Sequence, residues 1–194
     1  MPMWVVSGHP ALGAAIEQLE KDSDRAVGVV AAAIVEQRLS ELILLHLHKT
    51  DQKILERIFR VGGPVGSFSA KIDMAFLMGL VSLAFHAEMV IVKNIRNAFA
   101  HKLESTTFDT QKVRDLCFKL NYVEQWVGDI SPEEEEAMRG GKFDFKTPEG
   151  SPPIRFTGAG EALKNARRRY ILSAQILSWN MERASHIGLK NPAF

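Results

Sequence analysis

With one cysteine in 194 residues, the chain cannot build a framework of disulfide bridges, and that usage suits a reducing cytoplasm. It also lacks an excess of charge of one sign. The 24 Lys and Arg stand against 23 Asp and Glu, a formal net charge of +1, so no bulk field draws the protein to nucleic acid or to a membrane surface. Long apolar runs are missing too. The most apolar stretch, Met74 to Phe85, falls well short of the roughly 18 to 20 residues of a spanning helix and reads as a buried core helix. The start, MPMWVVSGHPALG, has neither a basic region nor a long apolar region, so no secretory signal is expected. No segment alternates apolar and polar residues for long enough to mark a strand, which points to the all-α class.

What is present is ordinary globular composition: 46% hydrophobic and 24% charged. At this length about 70% of the chain's surface can be buried without a metal or a bridge. The expected architecture is a single helical domain over residues 1–194, a bundle of six to seven helices with one long irregular excursion, 128–160. The segment Asp24 to Leu47 has one glycine and no proline, and Val27, Val30, Ala31, Ile34, Arg38, Glu41 and Leu45 step by three and four, so a long helix is expected with that face inward. Asp51 is placed to cap a short helix to Phe59, which Gly62-Gly63-Pro64 then stops. Ser67 or Ser69 can cap the next, carrying Phe68, Ile72, Ala75, Phe76, Gly79 and Leu83 on one side. A helix after His86 sets Ile91, Val92, Ile95 and Phe99 on one face and Lys93, Arg96, Asn97 and His101 on the other. Another runs from Asp109 toward Trp126. In the excursion, Gly, Pro and charge allow at most one helical turn, at Pro132 to Met138. The last helix spans Glu161 to Ile187, with Leu163, Ala166, Tyr170, Ala174, Leu177, Met181 and Ala184 inward and Gly188 as its stop.

Chemical motifs are few. The chain has no Gly-x4-Gly-Lys-Ser/Thr, no Gly-x-Gly-x-x-Gly after a strand and no Gly-x-Ser-x-Gly. No two of its six histidines lie four apart, so no dedicated zinc site, and no cofactor, is expected. Cys117 lies on an apolar helical stripe and reads as a small buried hydrophobe rather than a nucleophile. Gly62, Gly63, Pro64, Gly66 and Ser67 open a helix N-terminus, as an anion cradle would, but a helix-to-helix turn needs the same residues; without a P-loop lysine they read as turn and cap. Arg167, Arg168 and Arg169 fan out by 100° per residue, so Arg167 alone borders the apolar stripe; the triplet reads as a solvated face that can pair with the Glu133 to Glu136 run.

The stretch from Arg96 to His101 admits two readings. On an ideal helix Arg96 and His101 lie about 140° apart with Asn97 between them. Two such faces brought together by a two-fold dimer would gather arginines and histidines in a cleft suited to metal-independent RNA cleavage. Histidine would move the 2′-hydroxyl proton and arginine would stabilise charge on phosphorus. Alternatively Arg96 pairs with an acid from another helix and His101 caps helix carbonyls.

GGPVGSFSAKIDMAFLMGL followed by IRNAFAH resembles the mannitol operon repressor family of bacterial regulators, whose members carry Gly-Pro-Leu-Gly-Ser-Phe-Ser-x-Lys-Ile-like and Ile-Arg-Asn-x-Phe-Ala-His-like segments in that order. Val65 stands in the place of that leucine. The resemblance covers roughly Val27 to Leu120. It implies an all-helical cytoplasmic homodimer that represses sugar-alcohol uptake, working with another protein of a transcription or sugar-uptake system. The candidate partner-binding residues are then Lys93, Arg96, Asn97 and His101. The chain carries no helix-turn-helix, zinc finger or basic zipper, which argues against direct base readout of DNA. Arg-Asn-x-x-x-His is also similar to the Arg-x4-6-His motif of helical RNA-cleaving domains, often toxins. That resemblance implies Arg96 and His101 as a catalytic pair assisted by Asn97, with RNA as the partner.

Overall fold

In the computed structural model, which describes residues 18–101, 106–139 and 154–187, helices begin where a short polar side chain stands ready to take a free amide. Ser23 Oγ accepts from Ala26 N–H at the start of α1, Asp24–Leu45, and Asp51 Oδ1 accepts from Ile54 N–H, 3.0 Å away, at the start of α2, Gln52–Phe59. Ser67 Oγ accepts from Ala70 N–H at 3.1 Å to open α3, Phe68–Leu77. Each cap satisfies one of the four amides a helix start leaves unpaired. α1 stops two residues before Leu47, where His46 Nδ1–H donates back to the Leu42 carbonyl at 2.9 Å.

The apolar run Met74 to Phe85 is not one core helix. α3 ends at Leu77, Gly79 adopts a left-handed φ of +69°, and Ser82 Oγ accepts from Phe85 N–H to open α4, Leu83–His101, a turn earlier than its periodicity suggested. Glycine takes that conformation without the Cβ penalty, so the run folds back on itself and leaves Leu77 and Leu83 exposed. α5, Gln111–Cys117, is likewise shorter than expected, and a 3₁₀ turn, Tyr122–Gln125, follows it.

Two departures come from the excursion. Val127–Asp129 (β1) pairs in parallel with Ile154–Phe156 (β2), Val127 opposite Ile154, and α6, Pro132–Arg139, makes about two turns rather than one. Its start is a reciprocal cap: Glu134 N–H donates to Ser131 Oγ while Ser131 N–H donates to Glu134 Oε2. The remainder of the excursion, 140–153, lies outside the described residues. The final helix also divides. α7, Ala159–Lys164, is separated by the extended Asn165 from α8, Ala166–Ile187, and Asn165 Oδ1 accepts from Arg168 N–H at 3.0 Å.

Eight α-helices are present among the described residues, and the class is all-α. α1 and α8 form the centre, with α3, α4 and α5 packed around them. α1 buries Val27, Gly28, Ala31, Ala32, Val35, Leu39, Leu42 and Ile43. That stripe is rotated from the expected one: Val30 and Leu45 are exposed and Arg38 borders solvent beside Glu41. On α4 the buried stripe is Phe85, Met89, Val92, Ile95 and Phe99, so Met89 takes the place assigned to Ile91. α8 is enclosed on more than its apolar stripe, since Ile171, Leu172, Ser173, Ile176, Ser178 and Asn180 are buried as well. A helix enclosed on several sides has no polar face to keep a clean period. Among the described residues no helix is long and apolar enough to cross a membrane.

Candidate functional site

α1, α3 and α4 meet along one seam, and the charged groups of the motif region converge there. Glu36 of α1 receives two cations: Arg96 Nη1 of α4 at 3.0 Å on Oε2, and Lys71 Nζ of α3 at 2.8 Å on Oε1. The side chains of Lys71, Glu36 and Arg96 are 12%, 20% and 30% exposed, so the triad lies mostly under the surface. The Arg96 guanidinium sits 5.6 Å from the centre of the Phe68 ring, and its Nη2 lies 3.4 Å from Asn97 Oδ1. One carboxylate between two cations leaves a local excess of one positive charge. Lys93, one turn before Arg96, is half-buried and makes no ion pair among the described residues. His101 is the last residue of α4, and its side chain lies outside the described residues.

This arrangement is what the pairing of Arg96 with an acid from another helix requires. An arginine held by a carboxylate and stacked on a ring is positioned, and its charge is already partly spent. To stabilise a phosphorane it would have to exchange Glu36 for the phosphate oxygens.

The turn before α3 is built from backbone rather than from a cradle of free amides. Gly63 N–H donates to Arg60 O, Gly66 N–H to Gly63 O, and Val65 N–H to Ile58 O, all within 3.0 Å. A Cβ on Gly63 would fall 2.5 Å from the Ile58 carbonyl oxygen, and one on Gly66 would collide with the carbonyl oxygen of Arg60. Close approach of backbone to backbone thus demands glycine at both places, and Gly62 adds a φ of +81°. Pro64 lies in this turn and Ser67 closes it as the α3 cap.

The arginine triplet corrects the expectation of a solvated face. Only Arg168 is exposed. Arg167 pairs with Asp24 at 2.6 Å and donates to the carbonyls of Leu19, Glu20 and Asp22, locking the segment before α1 onto α8. Arg169 is buried. It donates through Nε to Leu120 O at 2.9 Å, through Nη1 to Leu163 O and through Nη2 to Asn121 Oδ1 and Glu124 Oε1, and it lies 5.9 Å from the Phe118 ring. None of these partners is in the Glu133 to Glu136 run.

A second buried charge faces the same segment. Glu88 Oε1 accepts from the backbone N–H of Asn121 at 2.8 Å and of Tyr122 at 2.9 Å, capping the 3₁₀ turn from outside the chain segment. Its other oxygen is buried with no hydrogen-bond partner among the described residues. Burial raises the carboxyl above the ordinary value; the two amide bonds and the Arg169 charge pull the other way without cancelling it. Sequence reasoning passed over Glu88, although an acid three residues after Phe85 and four before Val92, on a buried stripe, was the signal.

Cys117 is buried, and desolvation pushes its thiol up to about 12, so it is a packed hydrophobe at neutral pH. Tyr170 is enclosed and its phenol is also raised by burial; it donates to the Gly28 carbonyl at 2.9 Å. His86 Nε2 lies 3.0 Å from Asp73 and its ring stands 5.2 Å from Phe76. Among the described residues no three His, Cys, Asp or Glu side chains are grouped to hold a metal.

Compared with models of protein families, with curated proteins and with solved structures, the chain matches none.

Proposed function

We propose that this chain is a regulatory interaction protein of the mannitol operon repressor type: an all-helical, homodimeric scaffold that restrains sugar-alcohol uptake by binding another protein. One observation carries the reading. The arginine on which the competing chemistry depends, Arg96, is committed to Glu36 and Phe68 inside a three-helix seam, so it serves the shape of the surface that α3 and α4 present. The two segments of the family resemblance meet at this seam. Lys71 and Phe68 come from the first, Arg96 and Asn97 from the second, and Glu36 of α1 joins them. In this reading Lys93 and Asn97, beside the seam, contact the partner.

The test is genetic and direct. Removing the chain from its native cell should raise transcription of a sugar-alcohol uptake operon, and restoring it should reverse the rise. An unchanged transcript under inducing and non-inducing conditions refutes the regulatory reading.

A second reading, metal-independent RNA cleavage by Arg96 and His101 across a dimer with Asn97 assisting, is favoured by one detail: Arg96, though held in the seam, keeps 30% of its side chain exposed next to Asn97. It requires time-dependent cleavage of RNA by the purified protein in the presence of chelator, lost in His101→Ala. Intact RNA after prolonged incubation eliminates it.

A further inference from the structure

α2 stands apart from the bundle. It buries none of its residues, and only its inward edge, Leu55, Ile58 and Phe59, is half-covered. Its outward edge is basic. Lys53 and Arg57, four residues apart, share one stripe of the helix, and Arg60 follows directly after its last residue. All three are exposed, as is Lys49 just before the helix.

These four cations differ from those that hold the bundle together. Arg38, Lys71, Arg96, Arg155, Lys164, Arg167 and Arg169 each pair with an acid. Among the described residues Lys49, Lys53, Arg57 and Arg60 pair with none. The two local acids also accept hydrogen bonds within the segment: Asp51 Oδ1 from the Ile54 backbone N–H and Glu56 Oε1 from the Gln52 side-chain Nε2 at 2.9 Å. Within residues 49–60 four cations stand against two acids, a net charge of +2, on one projecting edge of a near-neutral chain. Beside it lie two exposed apolar side chains, Ile54 at 46% and Val61 at 97%.

Charge complementarity calls for an anionic partner, and the surroundings select which kind. A single-stranded nucleic acid would need an aromatic platform for its bases, and the one aromatic of this segment, Phe59, packs against the core. An anionic membrane would need a broad apolar face to insert, whereas three of the apolar residues of α2 turn inward. A helix bearing both carboxylates and aliphatic side chains satisfies the basic stripe and covers Ile54 and Val61 at once. We infer that the outer edge of α2 is the docking surface for an acidic amphipathic helix of a partner protein, with carboxylates on Lys53, Arg57 and Arg60. The inference rests on the interaction-protein reading above and names the chemistry of that partner.

The experiment is fluorescence anisotropy with the full chain and a labelled synthetic helix of alternating Glu-Glu and Leu-Leu pairs. Saturable binding is expected, weakening as salt rises, and weakening by about tenfold or more in Lys53→Glu/Arg57→Glu. Lys53→Gln/Arg57→Gln, a milder change on an exposed helix, should weaken it less, and Lys112→Glu, at an exposed position of α5, should leave it unchanged; circular dichroism confirms that each variant is folded. No binding, or binding indifferent to the stripe, overturns the inference. So does a preference of the same stripe for a single-stranded RNA oligomer or for phosphatidylserine vesicles over the peptide. If the peptide fails while the operon transcript still rises on removal of the chain, the docking surface is wrong and the regulatory reading stands; the reverse pattern sinks regulation and keeps the surface.

Discussion

Gly28→Ala tests the packing of α1 against α4 at its tightest point. A Cβ on Gly28 would fall 2.5 Å from Phe99 Cγ and 2.7 Å from Cε2, and closer still to Cδ2, against a ring that is 1% exposed and held 4.9 Å from Phe108. Alanine brings about 1 kcal/mol of helix propensity over glycine. Against that, overpacking a filled core costs about 1 to 3 kcal/mol and occasionally more. The overlap here is with ring carbons that have no void to enter, so the upper end applies. Parting the helices also strains the buried Tyr170 hydroxyl bond to the Gly28 carbonyl, a contribution of about 1 kcal/mol. The expected net loss is about 2 to 3 kcal/mol, a fall in Tm of about 5 to 10 °C for a chain of this size. Urea and thermal unfolding followed by circular dichroism measure it, and combining the change with Phe99→Ala should cost at least ~1 kcal/mol less than the sum of the two single losses. A neutral or stabilising Gly28→Ala, or strict additivity with Phe99→Ala, would show that the helices do not touch there.

Glu36→Ala leaves Lys71 and Arg96 facing each other without their shared carboxylate and should destabilise by about 1 to 3 kcal/mol, with Glu36→Gln milder; a loss below ~0.5 kcal/mol in urea unfolding would mean that the triad is ornamental. Glu88 has a folded-state pKa raised above 4.5, so the folded state holds more protons than the unfolded one as pH rises from that value. Its contribution is fully present below that value and is lost as pH rises through the folded pKa. In Glu88→Gln this part of the pH dependence disappears, and identical slopes for both proteins in urea titrations across that range contradict the assignment. Cys117, with its thiol near 12 and its side chain buried, should resist a thiol reagent at pH 8 in the native protein and react at once in denaturant; fast native labelling refutes its place in the core.

Reading the chain from its residues alone reached the helices whose starts are local events. Ser23, Asp51 and Ser67 stand next to the amides they accept, and Gly62 supplies a positive φ where a helix must stop. The triad at Arg96 was half legible. An arginine on the outer side of α4 invited either a phosphate or an acid, and nothing within a few residues of it says that Glu36, sixty positions earlier, is the acid.

Local chemistry thus determined the all-α class, the α1, α2 and α3 starts and the glycine turn. The helix starts depend on contacts three residues apart and the turn on contacts within about seven, which any chain with this order of side chains makes; Cys117 was legible as a place on an apolar stripe, but the helices packed around it bury its thiol. Tertiary structure alone decided what the charges do. Arg169 is buried because the Leu120 carbonyl and Glu124 supply acceptors from outside α8, and Glu88 is buried because the amides of Asn121 and Tyr122 need a partner. The same assembly leaves Lys53, Arg57 and Arg60 unpaired, since no acid of another element comes within reach of α2 among the described residues. A buried charge needs partners distant in sequence, and burial costs free energy that only those partners offset. Periodicity carries the shape of one helix and says nothing of what another helix brings to it.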